Sequence, residues 1–156
     1  MIRKAQLSDL QKMKELYFQL FNQMEKYEPF YMKKTHQDEE FLKKVIAEED
    51  FFTAFVYESA KKVEGFAIIH QQESLPYNCF VPLKCLYLMD IVVDENARGK
   101  GIGTSLLNQV KIFAKENKAD YLELNVLAKN TLAEALYIRE GFENYSKSMR
   151  LKIDNV

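Results

Sequence analysis

Apolar residues recur at helical spacing early in the chain and at strand spacing through its middle. Leu10, Met13, Leu16, Leu20 and Met24 lie three or four positions apart, and Tyr17 and Phe21 widen the same face. That spacing predicts an amphipathic helix. Ser8, followed by Gln11 three residues on, has the capping-box pattern that would start it. Phe41, Leu42, Val45 and Ile46 mark the buried side of a second helix over about 38–48. From Phe51 to Tyr57 aromatic and β-branched residues take over, Ser59 to Glu64 is polar, and Gly65 to His70 is apolar again, which predicts a hairpin. After a loop through Ser74-Leu75-Pro76-Tyr77-Asn78, the run from Leu86 to Val93 is almost continuously apolar, as in a strand buried on both faces.

A glycine-rich turn follows. Leu106, Leu107, Val110, Phe113 and Ala114 then predict a third helix ending near Lys118, and Tyr121 to Val126 reads as a strand. Thr131 to Glu140 reads as a fourth helix, with Asn130 placed to cap its start and Gly141 to end it. Phe142 to Ile153 reads as a closing extended strand, and Ile2 to Ala5 as a short opening one. Strand, two helices, three strands, helix, strand, helix and strand amount to a mixed-sheet α/β (α+β) fold. With no repeat and no linker, residues 1–156 are expected to form a single domain.

Composition narrows the class further. The chain is 47% hydrophobic and carries 22 basic against 23 acidic residues, so it suits a globular protein with no overall field toward nucleic acid or a membrane. The opening Met1-Ile2-Arg3-Lys4-Ala5-Gln6 lacks a signal-peptide pattern, and no run approaches the roughly 18 apolar residues of a membrane span. The expectation is therefore cytoplasmic. Cys79, Cys85, His36 and His70 form no metal-ligand spacing, so no metal is expected. The two histidines read as surface or loop residues.

The strongest chemical signal is Asp94-Glu95-Asn96-Ala97-Arg98-Gly99-Lys100-Gly101-Ile102-Gly103-Thr104. A buried strand runs into a loop with glycines at three alternate positions, and the loop opens a helix. Glycine permits positive φ and close approach of a ligand, and unpaired N–H groups at a helix start attract anions. Arg98 and Lys100 add positive charge. Physics alone points to a phosphate or diphosphate site. The P-loop spacing G-x-x-x-x-G-K-[ST] is absent, and Gly99-Lys100-Gly101 lacks the third glycine of a dinucleotide fingerprint. The plainer alternative is a turn that merely carries a strand into a helix.

Arg98-x-x-Gly101-x-Gly103 resembles the acetyl-CoA signature [QR]-x-x-G-x-[GA] of the GNAT family of N-acetyltransferases. The run from Asn130 to Phe142 is similar to that family's N-x-x-A-x-x-x-Y-x-x-x-G-F segment. The resemblance implies a mostly antiparallel sheet flanked by about four helices, with a bulged fourth strand splayed from the fifth to leave a slot for the cofactor arm. It implies that Ile91, Val92 and Val93 hold the pantetheine arm and acetyl group through their backbone. Arg98, Gly99, Lys100, Gly101, Ile102, Gly103 and Thr104 would hold the diphosphate. Asn130 would contact the cofactor, and Tyr137 would lie near its sulfur and protonate the departing thiolate. Periodicity alone would make Tyr137 a core aromatic.

By the same resemblance, acetyl-CoA is the acetyl donor and an amine, on a small molecule or a peptide, the acceptor. The amine attacks directly, while a backbone N–H near Ile91 or Val92 polarises the carbonyl. An α-amine with a pKa of ~8 is neutral about one time in ten at pH 7, whereas a lysine-like amine near 10.4 is neutral less than about one time in a thousand. A base therefore matters more for the second. Diamine acetyltransferases have a glutamate where this chain has Met89, which weakens a polyamine reading. Asp90 is the nearest carboxylate, equally readable as a strand carboxylate satisfied by its neighbours. Glu123 is a weaker choice, and a water chain is a third. The aromatic residues Tyr17, Phe21, Tyr27, Phe30 and Tyr31 read mostly as core, though 25–36 could line the acceptor pocket. Two other classes stay open at this point: a non-catalytic acyl-CoA sensor and an interaction module without cofactor. So does a homodimer.

Overall fold

The aromatic and β-branched residues in the middle of the chain pair into one sheet. In the computed structural model, which describes residues 1–155, its strands are β1 (Ile2–Lys4), β2 (Phe52–Ser59), β3 (Lys62–Glu73), β4 (Lys84–Val93) and β5 (Tyr121–Leu124), in that spatial order. Neighbours are antiparallel except β4 and β5, which are parallel. A parallel pair needs a crossover, and helix α3 (Ile102–Glu116) supplies it. This sheet and three helices, α1 (Leu10–Tyr27), α2 (Glu39–Ile46) and α3, belong to a compact unit, Met1–Asn125.

Two layers cover the sheet because β2, β3 and β4 are apolar on both faces. On one side Met13, Leu16 and Tyr17 of α1 and Leu42 and Val45 of α2 join Ala54, Val56, Phe66, Ile68 and Val92 in one buried cluster. On the other, α3 packs Phe113 edge-on against Phe55, with ring centroids 5.6 Å apart. Gly65 of β3 lets α3 approach. A Cβ there would lie 2.8 Å from the Val92 carbonyl and 3.3 Å from Ile102 Cγ2 and Leu106 Cδ1.

The start of α1 differs from the expected Ser8–Gln11 box. A 3₁₀ turn, Leu7–Asp9, precedes the helix, and the Asp9 carboxylate accepts from the Gln6 N–H at 2.8 Å. The reason is Arg3, whose guanidinium reaches both Asp9 oxygens at 2.7 and 3.0 Å and Glu58 at 2.7 Å. The carboxylate so fixed closes the turn that leads into α1, and no side chain caps α1 itself. Asp38 caps α2 by accepting from the Phe41 N–H at 2.7 Å.

The second compact unit begins at Val126. It contains α4 (Thr131–Arg139), whose capping follows the sequence: Asn130 accepts from the Ala133 N–H at 3.2 Å, and Gly141 ends the helix at φ +96°. The closing strand expected over 142–153 does not form. Its pattern, Met149, Leu151 and Ile153 alternating with charged residues, is strand-like, but a strand exists only where a ladder partner takes up its backbone groups, and this segment joins no ladder. Among the described residues no helix is long and apolar enough to cross a membrane.

Candidate active site

β4 is irregular at the place that matters. Ile68 pairs with Asp90 and Ile69 with Leu88, so Met89 is an extra residue, a bulge in β4. β5 pairs with Cys85 to Leu88 only and then ends, while β4 continues to Val93 without it. The pairing of the two strands thus stops at Leu88, immediately before the bulge, in line with the bulged and splayed fourth strand that the resemblance implies.

Which backbone groups face the gap follows from the ladder. Asp94 N–H donates to the Glu64 carbonyl at 2.8 Å, and the Val92 carbonyl lies against Gly65 on β3. Alternation along an antiparallel pair therefore turns the N–H and C=O of Ile91 and Val93 away from β3. The Arg98 guanidinium agrees, donating to the outward Val93 carbonyl at 3.3 Å. Of the two backbone N–H groups considered from sequence, Ile91's is the outward one and Val92's belongs to the sheet.

Asp90 lies in this stretch. Its Oδ2 accepts a 2.6 Å hydrogen bond from the hydroxyl of Tyr17 on α1. Burial raises the Asp90 pKa to about 6, with the Tyr17 bond pulling the other way. Tyr17 is a core aromatic, as its helical position suggested, but its hydroxyl is more than core. A fully buried tyrosine needs a partner for its O–H, and Asp90 is that partner. Glu123 of β5, the weaker base candidate, instead accepts from the Cys85 thiol at 3.9 Å. His36 stacks on Phe18, and His70 stacks on Phe52 within 2.9 Å of the Asp50 carbonyl, both away from Asp90's hydrogen-bond set.

The glycine loop begins at Asp94, which is 3% exposed and tightly held. Its carboxylate accepts from Lys12 Nζ at 2.7 Å and from the Asn96 N–H at 3.1 Å. Lys12, then the Asn96 amide, outweigh burial and draw its pKa down to about 2. Beside it the Glu95 N–H donates to the side chain of Gln19 at 3.0 Å. Neither Lys12 nor Gln19 was singled out from sequence, because a helix-surface polar residue gives no sign of a partner some eighty positions away. Gly99 and Gly101 take φ of +78° and +77°, left-handed values that cost other L-residues about 1–2 kcal/mol. Gly101 is the residue before α3, and the Ser105 N–H donates to its carbonyl. Arg98 and Gly99 form a hydrogen-bonded turn closed by the Lys100 N–H, whereas the N–H groups of Ile102, Gly103 and Thr104 meet no backbone or side-chain acceptor among the described residues. Ile102, Gly103 and Thr104 are the first turn of α3, where N–H groups have no intrahelical partner. Arg98 and Lys100 are exposed beside them.

Asn130 and Tyr137 belong to the second unit. Asn130 is the cap of α4, and Tyr137, half-buried, packs edge-on to Phe142 with centroids 5.9 Å apart. The Phe142 N–H donates to the Tyr137 carbonyl at 2.9 Å, which fixes the turn at Gly141.

The model of the acetyltransferase (GNAT) family matches residues 10–142. The chain belongs to this family. An uncharacterised N-acetyltransferase of Methanocaldococcus jannaschii is 32% identical over 91% of this GNAT chain, which spans 60% of that relative's length. The N-acetyltransferase YhfO of Bacillus subtilis, also uncharacterised, is 30% identical over 91% of the chain and 89% of its own. Among solved structures, a mutant of the BH1408 protein from Bacillus halodurans has a TM-score of 0.92 at 24% identity, covering 98% of this chain and 99% of that one. The aminoglycoside N-acetyltransferase AAC(6')-Iy in complex with CoA has a TM-score of 0.73 at 16% identity, covering 97% and 98%. At those identities the structures establish the GNAT fold. Family membership carries acetyl transfer in general.

Proposed function

We propose that this chain transfers the acetyl group of acetyl-CoA to a primary amine by direct attack within a ternary complex. The observation that carries the reading is the row of first-turn N–H groups of α3, Ile102 to Thr104, with no acceptor among the described residues, preceded by Gly99 and Gly101 in left-handed backbone and flanked by Arg98 and Lys100. Such a row is a cradle for a diphosphate, and its charge is right for coenzyme A. Residues 1–156 are read as one N-acetyltransferase domain, in keeping with a family match that runs across both compact units.

Acetyl-CoA supplies an activated acyl group, and the rest is the work of this chain. The outward N–H of Ile91 is placed to donate to an oxygen as negative charge grows on it. Ile91 and Val93 offer their outward backbone groups to the amides of the pantetheine arm, while Val92 keeps the strand in register with β3. Asp90 takes the proton of the ammonium group, and its raised pKa suits a base that works near neutral pH. Tyr137 donates a proton to the leaving sulfur, and Asn130 secures the turn that carries α4. The support for these last two roles is the spacing of the motif from Asn130 to Phe142.

Titration calorimetry with coenzyme A, followed by thiol release over a panel of amines, tests the reading. Binding together with release for at least one amine is expected. The absence of any heat with coenzyme A would remove the cradle. Tight binding with no release from any amine would turn the reading toward a non-catalytic acyl-CoA sensor.

A further inference from the structure

The two oxygens of Asp90 have different surroundings. Oδ2 accepts the Tyr17 hydroxyl. Oδ1 has no partner among the described residues, and no wholly buried side-chain oxygen there is left without one, so Oδ1 is the oxygen not sealed into the core. Tyr17 itself is wholly buried, its ring lying 4.9 Å from Phe66 and 5.4 Å from Phe21 between centroids. A hydroxyl carried on a ring packed this way is a fixed point. It stops the carboxylate from rotating to exchange its oxygens.

We propose that Tyr17 is a positioning residue that tethers Asp90 through Oδ2 and leaves Oδ1 as the oxygen that takes the proton from the acceptor's ammonium group. The proposal rests on Asp90 being the base. An N–H bond of the ammonium breaks, its electron pair stays on nitrogen, and an O–H bond forms at Oδ1. Tyr17 keeps its own proton throughout, because burial and then the Asp90 charge raise its pKa well above the ordinary value, against a smaller opposing bond from Gln37. The bulge supplies the geometry. Met89 occupies the extra position, and Asp90 returns to register opposite Ile68 in the cluster that α1 covers.

The surroundings of Asp90 are simple enough for a clean test. α1 presents Tyr17, β3 presents Ile68, α2 contributes the apolar Leu42 and Val45 to the same cluster, and no charged side chain of these elements acts on Asp90. Removing the hydroxyl leaves burial unopposed, so the carboxyl should bind its proton more tightly. Carboxyl ¹³C NMR on aspartate-labelled protein, assigned with Asp90→Asn, reads this directly. The Asp90 midpoint in Tyr17→Phe should lie above wild type by at least roughly half a pH unit, about a threefold gain in proton affinity. Equal midpoints overturn the proposal and leave Asp90 free to be the base.

Turnover with the best amine of the panel adds the catalytic readout. Tyr17→Phe should move the acidic limb of the profile upward and lower kcat while KM for acetyl-CoA holds. An acidic limb that survives unchanged in Asp90→Asn removes Asp90 as base, and the proposal with it. Should Tyr17→Phe fail to fold, the wild-type Tyr17 hydroxyl proton decides. A signal that shifts as Asp90 titrates supports the tether, and one indifferent to that titration overturns it.

Discussion

Lys12 Nζ and Asp94 Oδ2 meet at 2.7 Å although 82 positions separate them in the chain. The contact joins α1 to the first residue of the glycine loop, and Gln19 of the same helix takes the next N–H. Because Asp94 is 3% exposed, it depends on Lys12 for compensation of its charge. Lys12→Met should destabilise the protein by about 1–3 kcal/mol, the cost of a buried polar group left short of a partner. It should also weaken coenzyme A binding. Denaturant unfolding and calorimetry measure the two, and loss of stability with unchanged affinity would mean that the loop holds its shape without α1.

Gly65→Ala tests how closely α3 must approach the sheet. The added Cβ would lie 2.8 Å from the Val92 carbonyl, a backbone atom that cannot swing aside as a side chain can. A destabilisation of about 1–3 kcal/mol is expected from such overpacking. Because Ile102 and Leu106 are the other two contacts, the strain falls on the first turn of α3 and should lower coenzyme A affinity as well. A variant as stable as wild type would show that the strand pair can shift at little cost.

The central sheet and the loop were legible in the sequence because each left a periodic or positional mark. The apolar run ending at Val93, the alternate glycines and the helical spacing after Ser105 describe strand, turn and helix in order. The closing strand was misread for a physical reason: alternation at Met149, Leu151 and Ile153 records a preference, and only a partner makes a strand. The site was legible as far as single residues carry it. Asp90 could be named, but the Tyr17 hydroxyl that holds it could not, since a tyrosine on an apolar helix face looks the same whether its O–H meets water or a carboxylate. Likewise, the choice between Ile91 and Val92 needed the register with β3, which no local pattern encodes.

Gly101 separates backbone conformation from room for the ligand. A Cβ at this position meets nothing within 4 Å, so the protein has space for alanine, but φ is +77°. Gly101→Ala should therefore cost about 1–2 kcal/mol of stability through the left-handed backbone alone. Gly101→Asp should add a negative charge to the proposed diphosphate cradle and abolish coenzyme A binding. Wild-type affinity in Gly101→Asp, measured by calorimetry, would refute the cradle.

Tyr137→Phe bears on the proposed acid. Loss of a general acid lowers the chemical step by about 10²–10⁴-fold, with binding nearly intact. Single-turnover thiol release should slow within that range while coenzyme A affinity changes little. An unchanged chemical step would return Tyr137 to the role of packing Phe142 at the end of α4.

Asp90 and Asp94, four positions apart, should pull stability in opposite directions with pH. Asp94 has its pKa drawn below the ordinary carboxyl value of 3.8 to about 2, so its contribution is present above the unfolded value and is lost as pH falls through the folded one. Asp90 is raised from 3.8 to about 6, so its contribution is present below the unfolded value and is lost as pH rises through the folded one. At neutral pH the charged Asp90 is thus a burden on the fold. Asp90→Asn, which keeps the shape and an oxygen for Tyr17, should stabilise the protein at about pH 7 by about 1–3 kcal/mol while removing the base. It should also flatten the stability profile between about pH 4 and 6, leaving the steep acid loss due to Asp94 in place. Chemical denaturation across that range checks both. An Asp90→Asn variant less stable than wild type at neutral pH would mean that the carboxylate is held by the fold for its own sake, and that no stability is given up for the base.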